Sequence, residues 1–136
     1  MTKISFFLPG IPPTVTQQEH QVRVVKGKPV FYEPQELKTA RDRISGQLGT
    51  AKRIYGPDEK LSGPIRLTTK WIWPELNPGD GFSWKISKPD TDNLVKMFKD
   101  CMTRVGFWKD DAQVCSEIIE KMRGETPGIY VEVETL

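Results

Sequence analysis

The sequence is poor in the residues that most metal and nucleophilic centres require. Its 136 residues include two cysteines and one histidine, His20. Two cysteines cannot supply a disulfide framework or a four-cysteine zinc site, and one histidine is too few for a usual catalytic zinc centre. A serine or cysteine nucleophile would have only His20 as its base. The composition therefore favours carboxylate chemistry, if the protein is an enzyme.

Long apolar segments and a large excess of charge are also lacking. The apolar runs are only a few residues long, whereas about 20 residues are needed to cross a bilayer. The first residues reach Pro9 and Gly10 without the apolar region of a signal peptide, so we expect a cytoplasmic protein with no membrane partner. The net charge of +2 neither requires nor excludes a nucleic-acid partner, so any basic surface must be local.

The order of predicted elements indicates an α+β fold in a single domain that spans residues 1–136. Apolar residues alternate with polar ones in four predicted strands, and a hairpin is predicted over residues 22–32. These strands cover residues 3–8, 65–73, 114–122 and 129–133. Three- and four-residue spacings predict helices over residues 36–55 and 93–105. We expect a small mixed sheet with both helices packed on one face, joined by a long connection over residues 75–89.

The candidates for chemistry gather at the start of the second predicted helix. Asp90 and Asp92 are two positions apart, so in an extended segment their side chains leave on the same side. Lys96 lies one helical turn beyond Asp92, on the same face. A second acidic pair, Asp110 and Asp111, precedes a predicted strand. Three carboxylates and a lysine suit metal-assisted phosphodiester cleavage, because carboxylates bind Mg²⁺ and a lysine stabilises charge on phosphate.

Each of these residues also has a purely structural interpretation. Asp92 can serve as the N-cap of the helix, and Asp90 can serve as a turn residue. Asp92 and Lys96 can form an ordinary ion pair on a helix, and residues 110–111 can form a solvated turn. An EF-hand calcium loop and a glycine-rich phosphate loop are both excluded, because their required residues are missing. The spacing of the carboxylates alone therefore leaves structure and chemistry open.

Two motifs, taken in order, resemble the RusA family of phage and prophage Holliday junction resolvases. The first motif is D-T-D-N-L-V-K at residues 90–96, and the second is G-F-W-K-D-D-A-Q-V at residues 106–114. The spacing between them is also similar, and residues 8–13 add a looser similarity. The resemblance implies a homodimeric, Mg²⁺-dependent endonuclease that nicks two opposed strands of a four-way DNA junction during recombination and repair.

By motif position, the resemblance implies that Asp90, Asp92 and Asp111 bind the metal and that Lys96 completes the catalytic set. Distance along the chain limits how Asp111 can reach the other two carboxylates. The predicted helix after Asp92 spans about 20 Å, whereas the connection from its end to Asp111 covers at most about 18 Å. Either the chain doubles back almost fully extended, or Asp111 completes the site of a partner subunit.

The long connection supplies the candidates for DNA binding. Better-known members of the family carry a run of arginines before the first aspartate, whereas this chain has Lys85 and Lys88. We expect these lysines to contact phosphates and Trp84 to stack on unpaired bases. The alternative function is a catalytically weak, dimeric junction-binding protein of the same fold, which the intact set of acidic residues argues against.

Overall fold

Strands and helices alternate along the chain in the computed structural model, which describes residues 2–15, 21–32 and 34–136. His20 lies outside these residues. The helices are α1 (Gln35–Tyr55) and α2 (Thr91–Val105), and a short 3₁₀ turn covers Asp111–Gln113. The strands are β1 (Lys3–Pro9), β2 (Gln21–Val25), β3 (Lys28–Tyr32), β4 (Ile65–Pro74), β5 (Ser83–Trp84), β6 (Val114–Gly124) and β7 (Gly128–Thr135). The α+β class is confirmed, and the short strand β5 inside the long connection is an addition to the prediction.

Five of the strands form one mixed sheet in the order β1-β7-β4-β6-β5. Only β4 and β6 run parallel, and the other neighbours are antiparallel. The strands β6 and β7 are consecutive in sequence, yet β4 lies between them. The strands β2 and β3 pair with each other as a separate hairpin, as the sequence predicts.

One face of the mixed sheet is apolar and carries both helices. On β4, Ile65, Leu67 and Trp71 are fully buried, and the cross-strand register aligns Leu67 with Val133 and Trp71 with Ile129 of β7. The opposite face is more polar, with Lys70 and Glu120 forming an ion pair at 3.8 Å. Further buried side chains of this core come from β1 and from the two helices, among them Ile4, Phe6, Leu8, Leu37, Ile44, Leu48, Leu94, Met97, Phe98 and Met102. This arrangement matches the predicted packing of two helices on one face of the sheet.

Helix α2 begins two residues earlier than the sequence predicts and ends where it predicts. Its first residue is Thr91, so the N-cap is Asp90, and the interpretation of Asp92 as the N-cap is wrong. At the other end, Gly106 adopts a φ of 101° and its N–H donates to the carbonyl of Met102 at 3.1 Å. A positive φ favours glycine, which explains why the helix stops there.

No helix in the three described stretches of the chain is both long enough and apolar enough to cross a membrane.

Candidate functional site

The first acidic motif lies at the N-terminal end of α2. Asp90 has an extended backbone, and its carbonyl accepts the N–H of Leu94 at 3.2 Å, but its side chain makes no capping hydrogen bond. Asp92 lies within the first turn of the helix rather than in an extended segment, so the predicted same-side geometry is replaced by helical geometry. Both carboxylates are exposed at the positive end of the helix dipole, which favours negative charge.

The backbone just before Asp90 is anchored to the sheet by Lys121 of β6. Its ammonium donates to the carbonyl of Ser87 at 2.8 Å and to the carbonyl of Pro89 at 2.7 Å. Lys121 is half-buried on the face of the sheet that carries the helices, opposite Trp71 in the register. Two charge-assisted hydrogen bonds from a strand to a loop fix the position of that loop more firmly than neutral ones. Lys121 therefore holds the start of the acidic motif.

Lys85 does not lie where a phosphate contact requires it. Its side chain is buried, with an exposed fraction of 8%, and its ammonium lies 5.1 Å from the centre of the Trp73 ring. It donates to the hydroxyl of Ser87 at 2.8 Å. Burial lowers the pKa of Lys85, and repulsion from Arg123 and Lys121 adds to this effect. The Lys85 ammonium is thus buried against Ser87 and Trp73, so the expectation that it contacts DNA is corrected.

The other two DNA-binding candidates do face solvent. Lys88 is exposed, and Trp84 has an exposed fraction of 59%. The ring of Phe82 packs edge-on against Trp84, with their centres 4.9 Å apart, and it is equally exposed. A large aromatic pair at the surface is typical of a surface that contacts a partner. This pair and Lys88 lie on the connection that leads directly into Asp90.

A polar stripe runs along α2 from the first acidic motif, and we define it as Asp92, Lys96, Lys99 and Thr103. Spacings of four, three and four residues place these side chains on one face of the helix. Lys96 is exposed one turn beyond Asp92, as the sequence predicts. Lys99 forms an ion pair of 2.5 Å with Glu117 of β6. The stripe therefore runs beside β6, at the edge of the helical layer.

Asp111 lies at the opposite end of this stripe. Its carboxylate accepts a hydrogen bond from the hydroxyl of Thr103, and the indole N–H of Trp108 lies 3.4 Å from the same oxygen. That indole donates to the hydroxyl of Thr103 at 2.7 Å. Because Trp108 is fully buried and pairs with Leu61, the chain after α2 is fixed here and does not double back along the helix.

The neighbouring residues of the second motif have structural roles. Asp110 caps the 3₁₀ turn, since its carboxylate accepts the N–H of Ala112 at 2.9 Å. The side chain of Gln113 accepts the N–H groups of Lys109 and Asp110, and it donates to the carbonyl of Leu61 at 2.9 Å. Sequence reasoning missed Gln113, although an aspartate followed three residues later by a glutamine is the signature of a capping box.

One chain does not bring the three predicted metal ligands together. Asp92 and Thr103 are eleven positions apart on α2, so about 16 Å of helix separates the first motif from the contact of Asp111. Two carboxylates that share a Mg²⁺ ion each place an oxygen about 2.1 Å from it. Among the described residues, no group of three or more His, Cys, Asp or Glu side chains is close enough to hold a metal ion. The described residues of one chain therefore do not bring the three carboxylates together, and completion of the site by a partner subunit stays a prediction.

The α+β fold presents an exposed pair of carboxylates at the start of a helix, with a lysine one turn further on. Comparison with known proteins identifies the class more closely. The sequence model of the family described as endodeoxyribonuclease RusA matches residues 10–134. A protein of Lactococcus phage r1t, named crossover junction endodeoxyribonuclease rusA, is 30% identical over 118 residues, which cover 87% of each chain. The chain belongs to the RusA family of endodeoxyribonucleases, and the resemblance of its motifs to that family is confirmed.

Proposed function

We propose that this protein is a Mg²⁺-dependent endonuclease that resolves four-way DNA junctions by paired symmetric nicks, acting in recombination and repair. Membership of a nuclease family supports the cleavage reaction, and the name of the phage relative supports the junction as substrate. The observation that carries the proposal is that the carboxylates of Asp90 and Asp92 are exposed and available to a ligand. Both carboxylates are exposed at the start of α2, and neither forms an ion pair or a side-chain hydrogen bond with another described residue.

The chemistry of these donors fits Mg²⁺. The ion prefers hard oxygen ligands, and it is commonly held by one or two carboxylates together with the phosphate of a substrate. Asp90 and Asp92 provide two such carboxylates, and no other residue in the described part of the chain occupies their oxygens. When bound, Mg²⁺ supplies an activated water molecule and offsets negative charge on the scissile phosphate.

The remaining chemistry belongs to side chains of the chain itself. Lys96 projects from α2 one turn beyond Asp92, where its ammonium can bind the phosphate and stabilise the charge that develops during cleavage. Lys121 holds the carbonyl groups that precede Asp90, so it positions the first carboxylate without touching the phosphate. Lys88 and the exposed ring of Trp84 lie on the same side of Asp90 along the chain, where they bind the DNA backbone and unpaired bases.

Asp111 completes the site in a homodimer. It lies about 16 Å from the first motif along its own α2, so it serves the site of the partner subunit instead. A four-way junction has approximate two-fold symmetry, and a homodimer with two such sites presents them to opposed strands. Paired nicks then follow from the symmetry of the enzyme. Nothing in the comparisons favours the alternative, a junction-binding protein with weak catalysis.

The proposal is tested by comparing the wild type with Asp92→Asn on a four-way junction and on a matched linear duplex. We expect symmetric nicks of the junction by the wild type in Mg²⁺, no nicks in EDTA and no nicks in the duplex. Loss of a metal ligand should slow nicking by at least about 100-fold, since even residues that only support ligands contribute 10–100-fold.

A matched control is Asp58→Asn, which makes the same change at an exposed aspartate outside both motifs. This variant should nick at the wild-type rate. Tight binding of the junction by the wild type without cleavage in any divalent metal would contradict the proposal and favour the binding protein. Equal nicking by wild type and Asp92→Asn would contradict the assigned site.

A further inference from the structure

The hydroxyl of Thr103 lies between a buried indole and a carboxylate. It donates to one carboxylate oxygen of Asp111, Oδ1, and it accepts the indole N–H of Trp108 at 2.7 Å. The same indole nitrogen lies 3.4 Å from Oδ1, so the three side chains all contact one another. Trp108 is fully buried, whereas Thr103 and Asp111 are partly exposed. These hydrogen bonds therefore connect the core of the domain to a carboxylate at its surface.

The direction of the hydrogen bonds follows from the chemistry of the three groups. An indole N–H can only donate, an ionised carboxylate can only accept, and a hydroxyl has a single proton. The oxygen of Thr103 therefore accepts from Trp108, and its one proton goes to Asp111. The buried indole thus fixes the orientation of the hydroxyl, and the hydroxyl in turn holds Oδ1.

A threonine in a helix commonly uses its proton in another way. In α1, the hydroxyl of Thr50 donates to the carbonyl of Gly46 at 3.2 Å, one turn earlier in the same helix. This local bond is common because the hydroxyl of a helical threonine reaches the preceding turn. Thr103 lies near the end of α2, but it donates to a residue outside the helix. Its hydroxyl therefore serves Asp111 rather than its own helix.

Only one of the two carboxylate oxygens of Asp111 takes part in these contacts. Among the residues that the structure describes, no donor reaches the second oxygen, Oδ2. Asp111 lines an open cavity of about 390 Å³, together with Thr103 and the basic residues Arg104 and Lys109. A carboxylate that binds Mg²⁺ places an oxygen about 2.1 Å from the ion, so it needs an oxygen that is free. Oδ2 meets this requirement.

The location of Asp111 beside the end of α2 makes its donors necessary. The C-terminal end of a helix carries a partial negative charge, which repels a carboxylate. Asp90 and Asp92 lie at the other end of the helix, where negative charge is favoured. Asp111 depends instead on the side chains of Thr103 and Trp108 to hold its carboxylate in place.

We propose that Thr103 is a positioning residue for metal binding by Asp111. Its hydroxyl, directed by Trp108, holds Oδ1 and so presents Oδ2 to Mg²⁺. The inference rests on the proposed function, because it takes Asp111 as a metal ligand. Thr103 touches neither the metal nor the phosphate, but it restricts the rotation of the carboxylate. Groups that orient metal ligands in this way typically contribute about 10–100-fold to metal affinity.

The first test is Thr103→Val, which keeps the shape of the side chain and removes the hydroxyl. Binding of Mg²⁺ alone, without DNA, is followed by heteronuclear NMR through the backbone N–H resonance of Asp111. The half-saturating Mg²⁺ concentration should rise by about 10–100-fold in Thr103→Val. Thr103→Ser keeps the hydroxyl and should bind Mg²⁺ close to the wild-type concentration. Thr50→Val is the matched control, since it makes the same change in α1, and it should bind Mg²⁺ as the wild type does.

The second test removes the donor that directs the hydroxyl. Trp108→Phe keeps an aromatic ring in the core but has no N–H, so Thr103 becomes free to turn its proton to the carbonyl of Lys99 in its own helix. The half-saturating Mg²⁺ concentration should therefore rise in this variant too. An unchanged value in both Thr103→Val and Trp108→Phe would overturn the inference.

Nicking of a four-way junction separates positioning from a loss of structure. If Thr103 only stabilised the fold, Thr103→Val would lower the nicking rate by the same factor at every Mg²⁺ concentration, and that result would overturn the inference. We expect instead that the rate of Thr103→Val returns toward the wild-type value at saturating Mg²⁺. Urea unfolding of each variant measures the folded fraction under the conditions of the assay.

The inference and the proposed function fail in different ways. Mg²⁺-dependent nicking by a wild type whose Asp111 resonance does not respond to Mg²⁺ would support the proposed function and overturn the role of Thr103. Conversely, Mg²⁺ binding that depends on the Thr103 hydroxyl, in a protein that nicks no junction, would support that role and overturn the proposed function.

Discussion

At the residue scale, Lys121 links the sheet to the first acidic motif. Its side chain donates two hydrogen bonds, to the carbonyl groups of Ser87 and Pro89, and so connects β6 to the residues just before Asp90. Since a metal site depends on how firmly its ligands are oriented, groups that hold the ligands contribute to metal affinity. Lys121 is therefore a positioning residue in the proposed site.

Replacing Lys121 with methionine should raise the Mg²⁺ concentration for half-maximal nicking by about 10–100-fold, because Asp90 loses its anchored position. Lys121→Arg keeps the charge and should restore part of the affinity. Lys38→Met, at an exposed lysine of α1, is the matched control and should leave the Mg²⁺ dependence unchanged. The measurement is a Mg²⁺ titration of junction nicking alongside urea unfolding. A loss of stability without any shift of the Mg²⁺ midpoint would show that Lys121 is only structural.

The sequence could predict the acidic residues of the site but not the residues that hold them. Asp90, Asp92 and Asp111 belong to motifs that can be compared between proteins, whereas Lys121 is one of several lysines along the chain. Its role depends on the register between β6 and the loop, which no local pattern encodes. For Lys85 the sequence predicts a role that the structure does not support. Its position before the motif indicates a DNA contact, but its side chain is buried and donates to Ser87 instead.

At the scale of elements, helix α2 separates the two acidic motifs. Its start carries Asp90 and Asp92, and its last turn carries Thr103, which contacts Asp111. The helix must end sharply for this contact to form, and Gly106 provides the end with its φ of 101°. The chain then passes directly into the buried Trp108, which fixes the position of Asp111.

Gly106→Ala should lower the free energy of unfolding by about 1–2 kcal/mol, because a side chain is strained at this positive φ. Gly49→Ala makes the same change inside α1, where an added Cβ meets nothing within 4 Å, and should raise stability by about 0.5–1 kcal/mol. Urea unfolding of the two variants measures whether their free energies of unfolding change in opposite directions. Equal effects of the two substitutions would contradict the role of Gly106 as the helix terminator.

Most of the helices and strands can be predicted from the sequence. The errors fall where two residues favour the same structural role. The alternation in β4 and the apolar spacing in α1 gave correct elements because each pattern has one period over many residues. The sequence predicts the start of α2 two residues too late, because both Asp90 and Asp92 are residue types that favour a helix start. The strand β5 has only two residues and is defined by its pairing with β6, so no local sequence pattern predicts it.

At the scale of the whole molecule, one chain carries its two acidic motifs at opposite ends of one helix. The sequence raised the partner subunit as one of two possibilities for Asp111, since chain length alone could not choose between them. The geometry of Thr103 and Trp108 excludes the other possibility by fixing Asp111 far from Asp92. The central claim is thus that each active site takes Asp90 and Asp92 from one subunit and Asp111 from the other.

Mixing two inactive variants tests this claim most directly. Asp92→Asn and Asp111→Asn are each expected to be inactive as homodimers, because both of their sites lack one carboxylate. In a mixed dimer, one site carries both defects, but the other takes Asp90 and Asp92 from one chain and Asp111 from the other and is intact. After subunit exchange at equal concentrations, about half of the dimers are mixed by random pairing, so about one quarter of the wild-type sites return.

The measurement is the nicking of a four-way junction by the exchanged mixture in Mg²⁺, with each variant alone as the control. The account predicts that activity returns and that each mixed dimer cuts one strand without its opposed partner, so that nicked junctions accumulate. A mixture as inactive as its components, although exchange is verified with differently tagged chains, would contradict a site shared between subunits.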